Sequence, residues 1–240
     1  RRRQRQLMIA HHEIEREPCR PEGPNSGDDA LAGEPGRIGV DGREVMDVIC
    51  QDHKLNLSKY YMKPGFAFGG SCLPKDVRAL AYRANQLDVD SPLLNSLMRS
   101  NSGQVQKAFN IIAGFDKRKV ALLGLSFKAG TDDLRESPLV ELAEMLIGKG
   151  FDLQIYDRNV EYARVHGANR EYIESKIPHV SSLLRTNLEK VVADADVIVL
   201  GNGDELFAAV VEKLAPEKKM LDLVGFMRHT STEQAVGIGW

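Results

Sequence analysis

Cys72 is the residue around which chemistry can be organised. It lies in Gly69-Gly70-Ser71-Cys72-Leu73-Pro74-Lys75-Asp76, a run that joins a glycine-rich loop to the start of a helix. Gly65, Gly69 and Gly70 let backbone N–H groups come close to a ligand, and Pro74 suits a first helical turn. Cys72 is thereby placed at the positive end of a helix dipole, which favours a thiolate. A thiolate adds readily to an aldehyde and makes a good acyl leaving group. Asp76 is one helical turn further on, on the same side as Cys72, whereas Lys75 points away from it. From these residues alone, a nucleophile and a buried core thiol remain equally open for Cys72.

The chain around this run has 240 residues, a formal charge of -2 and a pI near 6.4. That balance gives no reason to expect nucleic acid, the Arg1-Arg2-Arg3 start being only a short cluster. The apolar runs are too short to cross a bilayer, and the first residues lack the apolar centre of a secretory signal, so a cytoplasmic location is expected. The three cysteines, Cys19, Cys50 and Cys72, are odd in number and have neither CxxC nor metal-type spacing, which argues against a disulfide framework and a zinc site. His11 and His12 lack a third ligand at helical spacing and read as solvent-exposed rather than metal-binding.

The elements that must position Cys72 follow from periodicity. Residues 1–38 are rich in Pro, Glu, Gly and Asp and poor in apolar side chains, and are expected to be disordered. Asp41 is a plausible N-cap, with Val45, Met46, Ile49 and Cys50 on one helical face and Cys50 in the core. A second helix starts at Pro74 with Val77, Leu80, Ala81, Ala84 and Leu87 as its apolar positions. A third, longer one opens at Ser91-Pro92. Its polar middle, Arg99-Ser100-Asn101-Ser102-Gly103, predicts either a kink or a bridge through solvent between two domains.

From Lys119 the pattern changes. Strands are expected at 120–125, 153–156, 197–200 and 220–224, alternating with helices at 139–147, 188–193 and 206–214. Such alternation implies a parallel sheet with right-handed crossovers. The expected fold is therefore α/β: a helical central region over 39–117 and a small doubly wound, Rossmann-like domain over 118–240. Ligands bind such sheets beyond the carboxyl ends of the strands. The loop after the first strand carries Lys128 and Arg135, both suited to phosphate. It is no dinucleotide fingerprint, because the G-x-G-x-x-G order is missing. Gly201-Asn202-Gly203 offers either a backbone nest or simple turn chemistry.

Phe66-Ala67-Phe68-Gly69-Gly70-Ser71-Cys72-Leu73-Pro74-Lys75-Asp76, followed by Phe127-Lys128-Ala129-Gly130-Thr131-Asp132-Asp133-Leu134-Arg135-Glu136-Ser137, resembles the UDP-glucose/GDP-mannose dehydrogenase family. His53-Lys54-Leu55-Asn56-Leu57-Ser58 before Tyr60-Tyr61, and the Asp222-Leu223-Val224-Gly225 ending, are similar to the branch that acts on GDP-mannose for alginate synthesis. The resemblance covers residues 39–240. It implies NAD-dependent four-electron oxidation of the C6 alcohol of a nucleotide-sugar, GDP-mannose to GDP-mannuronate in that branch. Cys72 is then the nucleophile that passes through a thiohemiacetal and a thioester, with Asp76 positioning water or a base and Lys75 beside it. Tyr60, Tyr61, Lys63, Phe68, Gly69, Gly70 and Lys128 are implied as contacts of the sugar nucleotide, and Arg135 as a contact of the NAD pyrophosphate. A homodimer through the long central helix is implied as well.

The departure lies before residue 39. Family members begin with an NAD-binding Rossmann domain, and residues 1–38 show neither its strand nor its glycine spacing. The sequence therefore leads to the expectation of a truncated chain, inactive alone, with a nucleotide-sugar-binding or dimerisation module as the alternative to an enzyme.

Overall fold

The computed structural model describes residues 41–52, 65–126, 130–160, 173, 177–225 and 234–238. Tyr60, Tyr61, Lys63 and Lys128, the disorder expected for 1–38 and the two amino-terminal histidines lie outside the described residues.

Three helices precede the sheet. The first, α1, spans Gly42–Ile49, and Asp41 caps it as expected, its carboxylate accepting from the Arg43 N–H at 2.8 Å. Cys50 follows, 4 % exposed, in agreement with the core assignment. Helix α2 spans Leu73–Gln86, with Pro74 in its first turn and Cys72 as its N-cap. Only part of its expected apolar face is covered: Val77 is buried and Ala81 and Ala84 half-buried, but Leu80 and Leu87 are exposed.

Helix α3 spans Pro92–Gly114 as one uninterrupted run. No interruption falls at 99–103, where Arg99, Ser102 and Gly103 are exposed and Ser100 and Asn101 half-buried. Gly103 stays helical, with open space around the position of a Cβ, so its cost is the modest one of a glycine in a helix, about 1 kcal/mol. The carboxyl half of α3 buries Val105, Ala108, Ile111 and Ile112.

The remainder alternates: β1 (Lys119–Leu123), α4 (Pro138–Gly148), β2 (Asp152–Tyr156), the single turn α5 (Pro178–Ser181), α6 (Leu188–Asp194), β3 (Val197–Leu200), α7 (Leu206–Val211), β4 (Lys219–Asp222) and β5 (Ala235–Gly237). The five strands form one parallel sheet in the order β2-β1-β3-β4-β5. The expected doubly wound sheet is thus present, with a fifth strand at its edge beyond the last one expected.

Alternation along each strand feeds two cores. Val120 and Leu122 of β1, Val197 and Val199 of β3 and Leu221 of β4 pack with α3 and α4. Ala121, Leu123, Ile198, Leu200 and Met220 point to the other face, where Val191 and Val192 of α6 and Phe207 of α7 cover them. Helix α3 therefore belongs physically to the sheet domain over its carboxyl half, while its amino half carries α2.

Candidate functional site

Several described loops meet at the carboxyl end of β1. The chain leaves β1 through Gly124 at φ +90°, a backbone state that glycine adopts without steric cost. A Cβ there would meet the Asn202 side chain at 2.4 Å, and one on Gly201 would lie 2.5 Å from the Gly124 carbonyl oxygen. The loops after β1 and β3 are thus in direct contact. The strand order reverses between these two strands, where doubly wound sheets take their ligands. Gly201 and Asn202 are buried in this junction, whereas Gly203 is exposed with open space around it.

Asp157, directly after β2 and 3 % exposed, fixes the β1 loop. One carboxylate oxygen accepts from the Leu125 N–H at 2.9 Å, the Ser126 N–H at 3.1 Å and the Ser126 hydroxyl at 3.2 Å. The other accepts from the N–H groups of Asn159 and Val160 at 3.0 and 3.1 Å. Because Ser126 Oγ gives its proton to Asp157, it accepts from Asn202 Nδ2 at 3.3 Å. Among the described residues Asn202 Oδ1, which is buried, finds no hydrogen-bond partner. In the sequence Asp157 is marked only as an acidic residue immediately after a buried strand.

The loop then returns over residues 130–137 to Ser137, the N-cap of α4, whose hydroxyl donates to the Leu125 carbonyl at 2.9 Å and accepts from the Leu139 N–H at 3.3 Å. Within it Arg135 pairs with Asp133 through contacts of 2.7 and 2.9 Å. Those hydrogen bonds, from a side chain two residues away, hold the Asp133 carboxyl below its ordinary range. Half exposed, Arg135 stands at the surface of the loop.

The thiol loop seats against this structure. Asn101, in the middle of α3, accepts from the Phe68 N–H at 2.7 Å and donates to the Phe68 carbonyl at 2.9 Å. The stretch that reads as solvent-facing in the sequence therefore clamps the loop carrying the candidate substrate contacts. One residue on, Gly69 approaches so closely that a Cβ would lie 2.4 Å from the Glu136 carbonyl oxygen and 2.6 Å from Pro138 Cδ. Gly70 turns the chain at φ +89°.

Cys72 then caps α2, exposed, with Ser71 Oγ 3.8 Å from its sulfur, and its carbonyl accepts from the Asp76 N–H at 2.9 Å. Of the two readings open for Cys72, the buried core thiol is excluded. Asp76 is half-buried one turn along, and Lys75 is exposed beside it. Six residues after Cys72, Arg78 donates to both oxygens of Glu136, at 2.6 and 3.1 Å.

Asn101→Ala is expected to release Phe68 by removing two hydrogen bonds, a loss of about 1–2 kcal/mol localised to the loop. Amide exchange over 66–71 is the check: it should rise about tenfold, with the sheet unchanged.

A cavity of about 260 Å³ lies elsewhere, between the end of α3 and the amino ends of β1 and β2, lined by Phe109, Ala113, Asp116, Lys117, Arg118, Lys149 and Phe151. It has no part in the thiol site. Among the described residues no group of three His, Cys, Asp or Glu side chains is placed to hold a metal ion. Among them, too, no helix is long and apolar enough to cross a membrane.

In a dinucleotide fold the acidic residue after the second strand takes a ribose hydroxyl, and the first loop carries three spaced glycines. Here Asp157 is consumed by five donors of its own chain, and the loop is Gly124-Leu125-Ser126. This sheet does not fit NAD in that manner.

An exposed thiol at a helix N-terminus, on a loop packed against the carboxyl edge of a parallel sheet, places the chain in the doubly wound α/β class. Residues 30–103 match the central domain, and residues 121–229 the UDP binding domain, of the UDP-glucose/GDP-mannose dehydrogenase family. The chain belongs to that family, whose members are NAD-dependent oxidoreductases.

Among individual relatives it is 78 % identical over 203 residues to GDP-mannose 6-dehydrogenase of Pseudomonas aeruginosa, covering 85 % of this chain and 47 % of that protein. The corresponding protein of Azotobacter vinelandii is 66 % identical, with 84 % of this chain and 46 % of the relative covered. The chain thus spans about half the length of the curated relatives it matches. A crystal structure of a ternary complex of GDP-mannose dehydrogenase from Pseudomonas aeruginosa superposes with a TM-score of 0.75 at 78 % identity, over 85 % of this chain and 47 % of that one. UDP-glucose dehydrogenase of Pyrobaculum islandicum shares the fold, with a TM-score of 0.74 at 22 % identity over 99 % of this chain and 49 % of that one.

Proposed function

We propose that this chain supplies the thiol and the nucleotide-sugar platform of a GDP-mannose 6-dehydrogenase. The carrying observation is the exposed Cys72 at the start of α2, three residues after Gly69, where the loop held by Asn101 at Phe68 packs against Glu136. In this reading Cys72 Sγ bonds to the C6 aldehyde carbon, and the aldehyde oxygen takes a proton to complete a thiohemiacetal. Loss of two electrons and two protons from that group, the C6 hydrogen leaving with the electron pair and the hydroxyl giving up its proton, leaves a thioester. Water, positioned by Asp76, cleaves the thioester to a carboxylate and returns the thiol, with Lys75 beside the site. NAD is the two-electron acceptor of the family. The misfit of this sheet to NAD means that no step is assigned to a cofactor site here.

Tyr60, Tyr61, Lys63, Phe68, Gly69, Gly70 and Lys128 are the proposed contacts of GDP-mannose, and Arg135 that of a pyrophosphate. Arg135 would have to exchange Asp133 for the phosphate, a swap its half-exposed position permits. Two copies pairing through α3, and a cytoplasmic setting, complete the reading.

Calorimetric titration with GDP-mannose is expected to give saturable heat that GDP abolishes; a folded protein that yields no heat at millimolar ligand would refute the platform. The misfit to NAD also favours a second reading, a module that binds or dimerises without turnover. NADH formed from NAD+ and GDP-mannose supports the first, and binding without NADH the second.

A further inference from the structure

We infer that Glu136 is a positioning residue that brackets Cys72, its backbone bearing on the loop before the cysteine and its carboxylate gripping the helix after it. The backbone supplies the first indication. Glu136 has φ +53°, one of three described non-glycine residues with positive φ, the others being Asp88 and Asp116. Aspartate and asparagine tolerate the left-handed region through local hydrogen bonds, whereas a glutamate there carries strain that its surroundings must hold. A glycine would satisfy that backbone without strain, so the side chain has a separate use.

That use is Arg78. The guanidinium meets the carboxylate end-on, with NH2 to Oε1 at 2.6 Å and NH1 to Oε2 at 3.1 Å, across 58 residues of sequence. Two parallel contacts fix orientation as well as distance. The second indication is Gly69, against which the Glu136 carbonyl oxygen closes to a distance that leaves no room for a Cβ. One residue thus touches the chain three positions before Cys72 and six positions after it.

Both partners are about half exposed, so the pair adds little to global stability. Its effect is geometric. The loop of 130–137 is tied to the sheet at Ser137 and Leu125, and Glu136 passes that fixed frame to the thiol. A nucleotide held at the carboxyl edge of the sheet would therefore meet the sulfur at a set distance. This inference rests on Cys72 being the reacting thiol. Failure of GDP-mannose to bind would count against that reading, while the measurements below need no ligand and stand by themselves.

Three variants are compared with the parent: Glu136→Gln, Arg78→Ala, and the exchange Arg78→Glu with Glu136→Arg. Hydrogen exchange is followed by peptide over 66–72 and over 130–137. The carboxamidomethylation rate of Cys72 is followed by mass mapping, which separates it from Cys19 and Cys50. In both single variants exchange in the two segments is expected to rise together by about threefold, the change a pair of this strength allows. The Cys72 rate should move by a similar factor while the thermal midpoint and the exchange of β1 and β3 hold. The charge exchange should return both readouts toward the parent. Unchanged exchange and alkylation in both single variants, or a change that the exchanged pair fails to reverse, overturns the inference.

Discussion

Cys72→Ser is expected to abolish covalent capture of a C6 aldehyde while leaving nucleotide-sugar affinity within about threefold of the parent. Serine keeps a similar size and a hydrogen-bonding group at the same position, and loses only the sulfur nucleophile. The Cys72 side chain makes no cap hydrogen bond to α2, so the substitution should not disturb the helix. GDP-mannose labelled with 13C at C6 and oxidised to the aldehyde gives the readout. With the parent, the labelled carbon should move from its hydrate resonance to that of a sulfur-bonded carbon, and with Cys72→Ser it should not. Where NAD+ is turned over, the rate of uronate formation should fall by about 10^3-fold or more. A serine variant that still forms the adduct, or forms uronate within tenfold of the parent, would remove Cys72 from its proposed role.

The second large effect is on stability. Asp157→Ala should lower the unfolding free energy by about 3 kcal/mol or more, because four backbone N–H groups and a hydroxyl lose their acceptor in a region closed to water. For a domain of this size that corresponds to a fall in Tm of about 6–12 °C. Asp157→Asn is not a mild alternative. Both carboxylate oxygens face donors, so an amide NH2 placed on either side opposes an N–H. The two variants should therefore lose similar stability, which thermal or urea unfolding would show. An asparagine variant with the parent's midpoint would mean that the carboxylate is not what holds the β1 loop.

Acid tests the surface of the same loop. The hydrogen bonds from Arg78 keep the Glu136 carboxyl below its ordinary value. Its contribution is complete above the ordinary carboxylate range and fades as the pH falls through the depressed value. Being exposed, the pair should contribute less than about 1 kcal/mol across that window.

What could be read in the sequence followed from periodicity and from short-range chemistry. Val197–Leu200 was identifiable to the residue because four successive apolar side chains between polar flanks fit only a strand buried on both faces. Pro74 marked a helix start because its backbone demand is local. β5 escaped notice because Ala235–Gly237 is three residues long and has no pattern to detect. Leu80 and Leu87 were misplaced because spacing locates a stripe without saying how much of it a neighbour covers. Within the site, the cysteine and its glycines were legible through motif chemistry. Asn101, Asp157 and Glu136 were not, since each acts on a segment more than thirty residues away and nothing in the flanking sequence announces the partner.

Helix α3 has a further consequence as a ruler. Asn101 holds Phe68 near its middle, and Val105, Ala108 and Ile112 lock its carboxyl half onto the sheet. An added or deleted residue between these points would turn the Asn101 amide by about 100° and slide it by about 1.5 Å relative to the sheet. No side-chain adjustment recovers such a rotation. The spacing from 101 to 105 is thus fixed as a length, so the segment can vary in composition at its exposed positions, Ser102 and Gly103, but not in number of residues.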